Sequence, residues 1–272
     1  MSRTGPGARQ VVSVENGFGY GVIGADPHVF PDRGPVYLLA EYGPASASSV
    51  GEAAWLTAQP SRLLNARFQV VDFTGRDRER SGLAAWRDSG GPGPTATWLH
   101  GPGGQGKTRP AARFAADSAA EGWKAMTATY GSGAILPRPG SQDLCLDGAV
   151  GLLLVVDYAD RWPLSHPAWL FSNRLLHRQL PNRILLPART AAPWPAARSA
   201  LEEEAAAGTS DLASLPLDDQ GGELGERRAM FTVARDCFAA RYGLTDPSVI
   251  EPPDYLDRPD FGLVLALRMA AL

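Results

Sequence analysis

The sequence is poor in lysine, cysteine and long apolar runs, and it carries little net charge. Lysine occurs only at Lys107 and Lys124, and arginine supplies the other basic residues. A formal net charge of −3 gives no strong electrostatic signal for nucleic acid or for a membrane surface. Cys145 and Cys237 lack CxxC spacing, which predicts reduced thiols in a cytoplasmic protein rather than a disulfide. The longest apolar run, Ala149–Val156, is too short to span a bilayer.

The remaining composition is that of an ordinary globular protein. The chain has 272 residues, of which 44% are hydrophobic and 20% are charged. This length can bury a sizeable core, as one large domain or as one domain with appendages. The polar, glycine-rich N-terminus predicts no signal peptide.

The most informative segment is a complete match to the phosphate-binding pattern G-x-x-x-x-G-K-[ST]. Glycines at close spacing let backbone N–H groups curl around phosphate oxygens. Lys107 can reach the outer phosphates, and the hydroxyl group of Thr108 can bind Mg²⁺. The matching residues are Gly101, Pro102, Gly103, Gly104, Gln105, Gly106, Lys107 and Thr108.

The flanking sequence supports this interpretation. Residues 96–99 predict a short strand before the loop, and residues 109–120 place apolar side chains at helical spacing after it. Strand, loop and helix are the arrangement that the motif requires. A helix beginning at about Gly106 puts Pro110 at the limit of what a helix start tolerates, so we expect local distortion there.

A second signal is the aliphatic run 151–156 followed by Asp157. Such a run predicts a strand buried on both faces of a parallel sheet, with its carboxylate at the end where ligands bind. Asp157 can bind Mg²⁺ opposite the loop threonine, and Asp160 can orient or deprotonate the attacking water. The next predicted strand, 184–186, leads to Arg189, whose guanidinium group can contact the γ-phosphate.

The whole pattern predicts an α/β protein with three parts. Residues 1–60 form a small β-containing region, residues 61–220 a three-layer α/β/α core with a parallel sheet, and residues 221–272 the start of a helical lid. The further elements expected are strands at 11–14, 20–23, 36–41, 123–128 and 212–217, and helices at 50–57, 162–180, 195–207, 223–242 and 261–272.

A dinucleotide-binding pattern near the N-terminus is interpreted as coincidental. Gly19, Gly21 and Gly24 spell GxGxxG, but Asp26-Pro27 follows where a helix would have to begin. A small β-turn unit explains these glycines better. The histidines show no metal-ligand spacing, so zinc is not expected.

Four motifs taken together resemble the STAND class of P-loop NTPases, which includes NACHT and NB-ARC proteins. They are FTGRDRE, TWLHGPGGQGKTR, LLLVVDYAD and RILLPART, and the resemblance covers about residues 62–272. It implies that the loop and Arg109 bind the triphosphate of ATP or ADP, and that Gly75 and Arg76 lie near the adenine and ribose. It also implies that Asp157 binds Mg²⁺ and that Arg189 is a sensor arginine.

By this resemblance the chain binds ATP and hydrolyses it slowly, as a conformational and signalling switch. Protein partners or self-association through the NTPase core are implied as well. Related proteins usually continue into a winged-helix module and repeats, whereas this sequence ends within the expected lid. Pro110 and Pro187 stand where aliphatic residues are usual. Two alternatives are a scaffold that holds ATP or ADP without turnover and a P-loop phosphotransferase acting on a small molecule.

Overall fold

The computed structural model describes residues 29–30, 34–43, 50–130, 144–163, 165–213 and 223–272. The expected strands at 11–14 and 20–23 and the GxGxxG glycines lie outside these ranges. The chain divides into two compact units. Unit 1 comprises residues 1–42, 89–98 and 115–211, and unit 2 comprises residues 43–88, 99–114 and 212–272. In the ranges given, no helix combines the length and the apolar character needed to cross a membrane.

The described residues form eight strands and eight α-helices. The strands are β1 Val29–Phe30, β2 Gly34–Pro35, β3 Tyr37–Glu41, β4 Gly93–His100, β5 Trp123–Tyr130, β6 Gly151–Val156, β7 Pro181–Ala188 and β8 Gly208–Ala213. The helices are α1 Val50–Thr57, α2 Pro60–Leu63, α3 Asp77–Asp88, α4 Thr108–Ala120, α5 Ser165–Phe171, α6 Trp194–Ala205, α7 Glu223–Tyr242 and α8 Val264–Ala270. Short 3₁₀ helices occupy Ala66–Phe68, Ala159–Arg161, Arg174–His177, Pro247–Val249 and Pro259–Gly262.

Six strands form one mostly parallel sheet in the order β3-β5-β6-β7-β4-β8. Strands β5, β6 and β7 are parallel neighbours, and β3 pairs antiparallel with β5 at the sheet edge. Strand β7 therefore lies between β6, which ends before Asp157, and β4, which leads into the phosphate-binding loop. The fold is the three-layer α/β/α arrangement of P-loop NTPases that the sequence predicts.

The core of unit 1 follows from the apolar composition of its central strands. Every residue of β6 is buried, and so are seven of the eight residues of β7. Such complete burial is typical of parallel strands covered on both faces. The ring of Trp98 in β4 stacks on Trp194 at 5.4 Å between centroids, and its indole N–H donates to the carbonyl oxygen of Thr190 at 3.1 Å.

Unit 2 has a separate apolar core around α7. Its helical face buries Met230, Phe231, Ala234 and Phe238, as the spacing predicts, whereas Tyr242 at the end of the same stripe is 47% exposed. These side chains belong to two clusters in unit 2 that also include Val71 and the α8 residues Val264 and Leu267.

The structure corrects the prediction of one helix over 162–180. The segment instead contains α5 and the 3₁₀ helix Arg174–His177, separated at Asn173. The buried side chain of Asn173 accepts a hydrogen bond from the backbone N–H of Leu175 at 3.0 Å, which caps a new helix start. Its amide nitrogen donates to the hydroxyl group of Tyr37 at 3.0 Å. A local capping residue therefore ends the continuous helical pattern.

One further strand boundary and one strand pairing differ from what the sequence pattern indicates. The last strand runs over Gly208–Ala213 rather than 212–217, of which 214–217 lie outside the described residues. The predicted strand 36–41 is present as β3, but it joins the main sheet beside β5, with Tyr37 opposite Tyr130. Pairing between segments so far apart in the chain leaves no local signal.

Candidate nucleotide-binding site

The loop 101–108 adopts a conformation that its glycines permit. Gly104 and Gly106 have φ angles of +86° and +85°. Residues with a Cβ atom rarely adopt this left-handed region, so both positions favour glycine. Gln105 between them is buried. When left-handed glycines flank a residue in this way, successive backbone N–H groups can form a concave surface of the type that binds anions.

Helix α4 begins at Thr108, two residues later than the sequence predicts. Pro110 is therefore the third residue of the helix, where a backbone N–H has no partner inside the helix in any case. On either side of it, Arg109 N donates to Gly106 O and Ala111 N donates to Lys107 O, both at 3.2 Å. The expectation of distortion is wrong, because the later start places proline in a tolerated position.

The side chain of Lys107 is buried and held against the loop itself. Its ammonium group donates to the carbonyl oxygens of Gly101 and Pro102, the latter at 2.8 Å. The cation therefore lies within the curve of the loop. A phosphate group that binds there meets a positive charge already held in place.

Arg76 lies against the same loop, in unit 2. Its side chain is 5% exposed, and Nη2 donates to the carbonyl oxygen of Gln105 at 2.7 Å. Nη1 donates to the carboxylate of Glu79 in α3, and the backbone N–H donates to Oε1 of Glu226 in α7 at 2.8 Å. Gly75 precedes it with a φ of +73°. The Gly75-Arg76 turn therefore connects the loop with α3 and α7.

The first residues of α8 also contact the loop. The backbone N–H of Leu265 donates to the carbonyl oxygen of Gly104 at 2.9 Å. A Cβ atom added to Gly104 would lie 3.2 Å from the Cβ of Leu265, and one added to Gly106 would lie 3.2 Å from Cγ2 of Val264. These glycines therefore allow α8 to approach the loop backbone.

A pocket within unit 2 adjoins the loop at Gly106. It is a shallow pocket that is open to solvent rather than an enclosed cavity. Apolar side chains and three arginines line it, with Asp72 as the carboxylate among the lining residues. The lining residues are Val71, Asp72, Phe73, Thr74, Arg76, Gly106, Arg109, Pro110, Met230, Val264, Leu267 and Arg268.

Two of these arginines give the pocket a positive potential. Arg109 is buried and donates from Nη2 to the carbonyl oxygen of Val71 at 2.6 Å. Burial, together with the like charge of Arg109, lowers the pKa of Arg268 to about 10. Arg268 keeps its proton at neutral pH, so an anionic group entering the pocket is attracted by two partly desolvated cations.

The acidic residues predicted from the sequence lie in unit 1, where Asp157 directly follows β6 and Asp160 belongs to the 3₁₀ helix Ala159–Arg161. Asp157 is half-buried, and its Oδ1 accepts the backbone N–H of Tyr158 at 2.9 Å. Oδ1 of Asp160 accepts the backbone N–H of Arg189 at 3.0 Å. The structure thus brings Asp160 and Arg189 together through a carboxylate-to-backbone contact that joins two strand ends.

Tyr158, which the sequence did not single out, completes this cluster. It is 43% exposed and adopts a φ of 53°, an outlier for a bulky residue. The guanidinium groups of Arg161 and Arg189 lie 4.9 Å and 5.5 Å from its ring centroid. Cation–π attraction on the tyrosine ring therefore orients the exposed Arg189 side chain.

The predicted site residues fall into two groups. Residues 101–109 lie with Gly75 and Arg76 in unit 2, and Asp157, Asp160 and Arg189 lie in unit 1. The contacts that the sequence did not indicate are those of Arg76 with Glu226 and of Leu265 with the loop. Glu79 lies only three positions after Arg76, but the sequence did not single it out as a partner either.

Comparisons with known proteins give distant likenesses in fold. The chain is similar to Aeropyrum pernix ORC1, solved in complex with DNA, at 18% identity and a TM-score of 0.37, covering 69% of this chain and 56% of that one. It is also similar to Aeropyrum pernix ORC2, solved as ADPNP–ADP complexes, at 16% identity and a TM-score of 0.42, covering 77% of this chain and 63% of that one. The likeness to Cdc6p from Pyrobaculum aerophilum has 13% identity and a TM-score of 0.37, covering 71% of this chain and 61% of that one.

The chain thus spans between 56% and 63% of the length of these three proteins. No family model matches the sequence, and no curated protein matches it. Function is therefore inferred from the residues of the site.

Proposed function

We propose that this chain binds ATP through residues 101–108 and hydrolyses it slowly, as a conformational switch. The observation that carries the proposal is the geometry of the loop. Gly104 and Gly106 have left-handed backbones, and Lys107 is held inside the curve directly before the start of α4. A helix start adds its own positive end to the backbone N–H groups that attract phosphate.

The pocket beside Gly106 is the proposed site for the base and ribose. Apolar side chains such as Phe73, Met230 and Val264 offer surfaces for a flat ring, and Arg109 and Arg268 supply positive charge for the phosphates. The resemblance to STAND proteins assigns the neighbourhood of Gly75-Arg76 to the same part of the nucleotide.

The sequence pattern carries the proposal that the hydroxyl group of Thr108 and the carboxylate of Asp157 bind Mg²⁺, since both are oxygen donors of the kind this ion prefers. When bound, it would neutralise charge on the triphosphate. Asp160 is the proposed base that orients water, and Arg189 the proposed cation for the γ-phosphate. The tyrosine ring beside Arg189 holds the guanidinium group near the ends of β6 and β7.

The proposed switch uses the contact between the loop and α8. Leu265 and Val264 lie directly against Gly104 and Gly106, so a change in the loop on phosphate binding changes the support of α8. Partner proteins or a second copy of the chain would then respond to the position of the lid. We propose that the nucleotide controls such contacts rather than feeding a metabolic reaction.

The two lysines of the chain provide a matched test. Lys107→Ala removes the cation inside the loop and should weaken ATP binding about 100-fold, since it deletes charge-assisted bonds to phosphate. Lys124→Ala removes a lysine of β5 that pairs with Glu41 at 3.2 Å and should leave ATP affinity within about twofold. Isothermal titration measures both. Equal affinities for the two variants would refute the phosphate-binding loop.

A nucleotide-binding scaffold without turnover is the second candidate. It is favoured by the bond from Arg189 N to Oδ1 of Asp160, because an oxygen that already accepts a backbone N–H is less available to orient a water molecule. Nucleotide analysis of the purified protein, followed by phosphate release with and without Mg²⁺, separates the two. Bound ADP with no release of phosphate would favour the scaffold, and release that depends on Mg²⁺ would favour the hydrolase.

A further inference from the structure

The carbonyl oxygens of two successive loop residues are held from outside the loop. Arg76 Nη2 donates to Gln105 O at 2.7 Å, and the backbone N–H of Leu265 donates to Gly104 O at 2.9 Å. In a trans peptide the C=O and N–H groups point in opposite directions. The N–H groups of Gln105 and Gly106 therefore point away from these two donors.

We propose that Arg76 is a positioning residue for the phosphate-binding loop. By holding Gln105 O, it orients the peptide between Gln105 and Gly106 so that the N–H of Gly106 faces the side on which phosphate binds. This inference rests on the proposed nucleotide binding at residues 101–108. Arg76 also lines the pocket proposed for the base and ribose, but its Nη1 and Nη2 are engaged by Glu79 and Gln105, so the inferred role is to hold the loop rather than to contact the nucleoside.

Arg76 is itself fixed by groups that do not belong to the loop. Glu79 accepts from Nη1, and Glu226 Oε1 accepts the backbone N–H at 2.8 Å. Its φ of +61° is strained for a residue with a long side chain. A strained residue persists only where its surroundings hold it, and here two carboxylates do so. The guanidinium group is thus oriented before any ligand arrives.

The consequence is a loop that is preorganised for anions. A backbone nest loses affinity if its peptide groups can rotate, because binding must then order them first. Holding Gln105 O removes that freedom at the residue between the two left-handed glycines. Arg76 therefore acts on phosphate affinity through Gly106, without touching phosphate itself.

Inorganic tripolyphosphate and adenosine separate the two roles of Arg76, because one probe has only phosphates and the other has none. Arg76→Met keeps the apolar stem and removes the donors, so tripolyphosphate affinity should fall about tenfold while adenosine affinity stays within about twofold. Arg76→Lys keeps a positive charge and a compact donor, so its tripolyphosphate affinity should lie between those of Arg76→Met and the wild type. The exposed Arg78 of α3 gives the matched control, Arg78→Met, which should bind both probes like the wild type.

Three results would overturn the inference. One is wild-type tripolyphosphate affinity in Arg76→Met, and another is an equal loss for both probes, which would indicate a contact with the nucleoside. The third applies if circular dichroism shows that Arg76→Met does not fold, in which case Arg76→Lys is used instead. If adenosine affinity falls as much as tripolyphosphate affinity in Arg76→Lys, the positioning role is refuted. A wild type that binds neither ATP nor tripolyphosphate would instead refute the proposed function itself.

Discussion

Substituting alanine for Gly75 should destabilise unit 2, for two reasons that can be read from the structure. Gly75 has a φ of +73°, and alanine in the left-handed region costs roughly 1–2 kcal/mol. A Cβ atom at this position would also collide with Oε1 of Glu226 and lie 2.5 Å from the terminal methyl of Met230. The methyl group can move, but the carboxylate is held by its bond to Arg76 N.

The size of the effect depends on the Glu226 carboxylate. Moving it breaks the hydrogen bond to Arg76 N, now 2.8 Å long, and a bond to a charged group contributes about 1.5–3 kcal/mol. Backbone strain and the lost bond together predict a decrease of about 2.5–5 kcal/mol in the free energy of unfolding. The same change should loosen Arg76 and so weaken tripolyphosphate binding.

Gly82 offers a control of opposite sign in the same unit. It lies inside α3, and a Cβ atom added there would have no neighbour within 4 Å, so Gly82→Ala should stabilise by about 1 kcal/mol through helix propensity. Urea unfolding followed by circular dichroism compares both variants on the same transition. A decrease of less than about 1 kcal/mol in the free energy of unfolding of Gly75→Ala, or a change of the same sign in both variants, would contradict this prediction.

Two further substitutions test the site. Asp160→Asn keeps an oxygen that can accept the backbone N–H of Arg189, so ATP affinity should change little. Because the variant lacks the proposed base, Mg²⁺-dependent phosphate release should slow about 100-fold. Unchanged turnover would remove Asp160 from the mechanism. Arg268→Met removes a cation that is costly to bury, since burial lowers its pKa to about 10. At every pH below that value the folded state carries this cost in free energy. The substitution should therefore raise the free energy of unfolding at pH 7 by about 1–3 kcal/mol. The difference from the wild type should decrease above about pH 10, where the folded wild type loses the proton of Arg268. A lower free energy of unfolding in urea for the variant would contradict this prediction.

Local patterns were sufficient for the elements that carry the site. The aliphatic run 151–156 is a fully buried strand, and the spacing of apolar residues over 223–242 is a helix with the same bounds. Both signals are periodic and dominated by burial, so tertiary contacts reinforce rather than override them. The loop motif likewise contains its own geometry, since glycine at 104 and 106 is what the left-handed backbone requires.

Boundaries and long-range contacts were not accessible in the same way. Asn173, which caps the new helix start, also donates from its buried amide to Tyr37, 136 positions away, and the local sequence does not indicate that contact. The bond between Arg76 and Glu226 spans 150 positions, and nothing in either local sequence indicates it. Hydrogen bonds of this kind depend on how the fold brings segments together, which a single sequence does not encode as periodicity.

The loop glycines are constrained from two sides at once, which the motif alone does not indicate. The pattern explains them by the approach of phosphate, yet Gly104 and Gly106 also face Leu265 and Val264 at distances that a Cβ atom would make tight. Alanine at either position would therefore disturb α8 even without nucleotide. The same loop backbone thus contacts α8 and, under the proposed function, would also hold phosphate. In the proposed switch, a change in the loop on phosphate binding would therefore reach α8 without a separate relay.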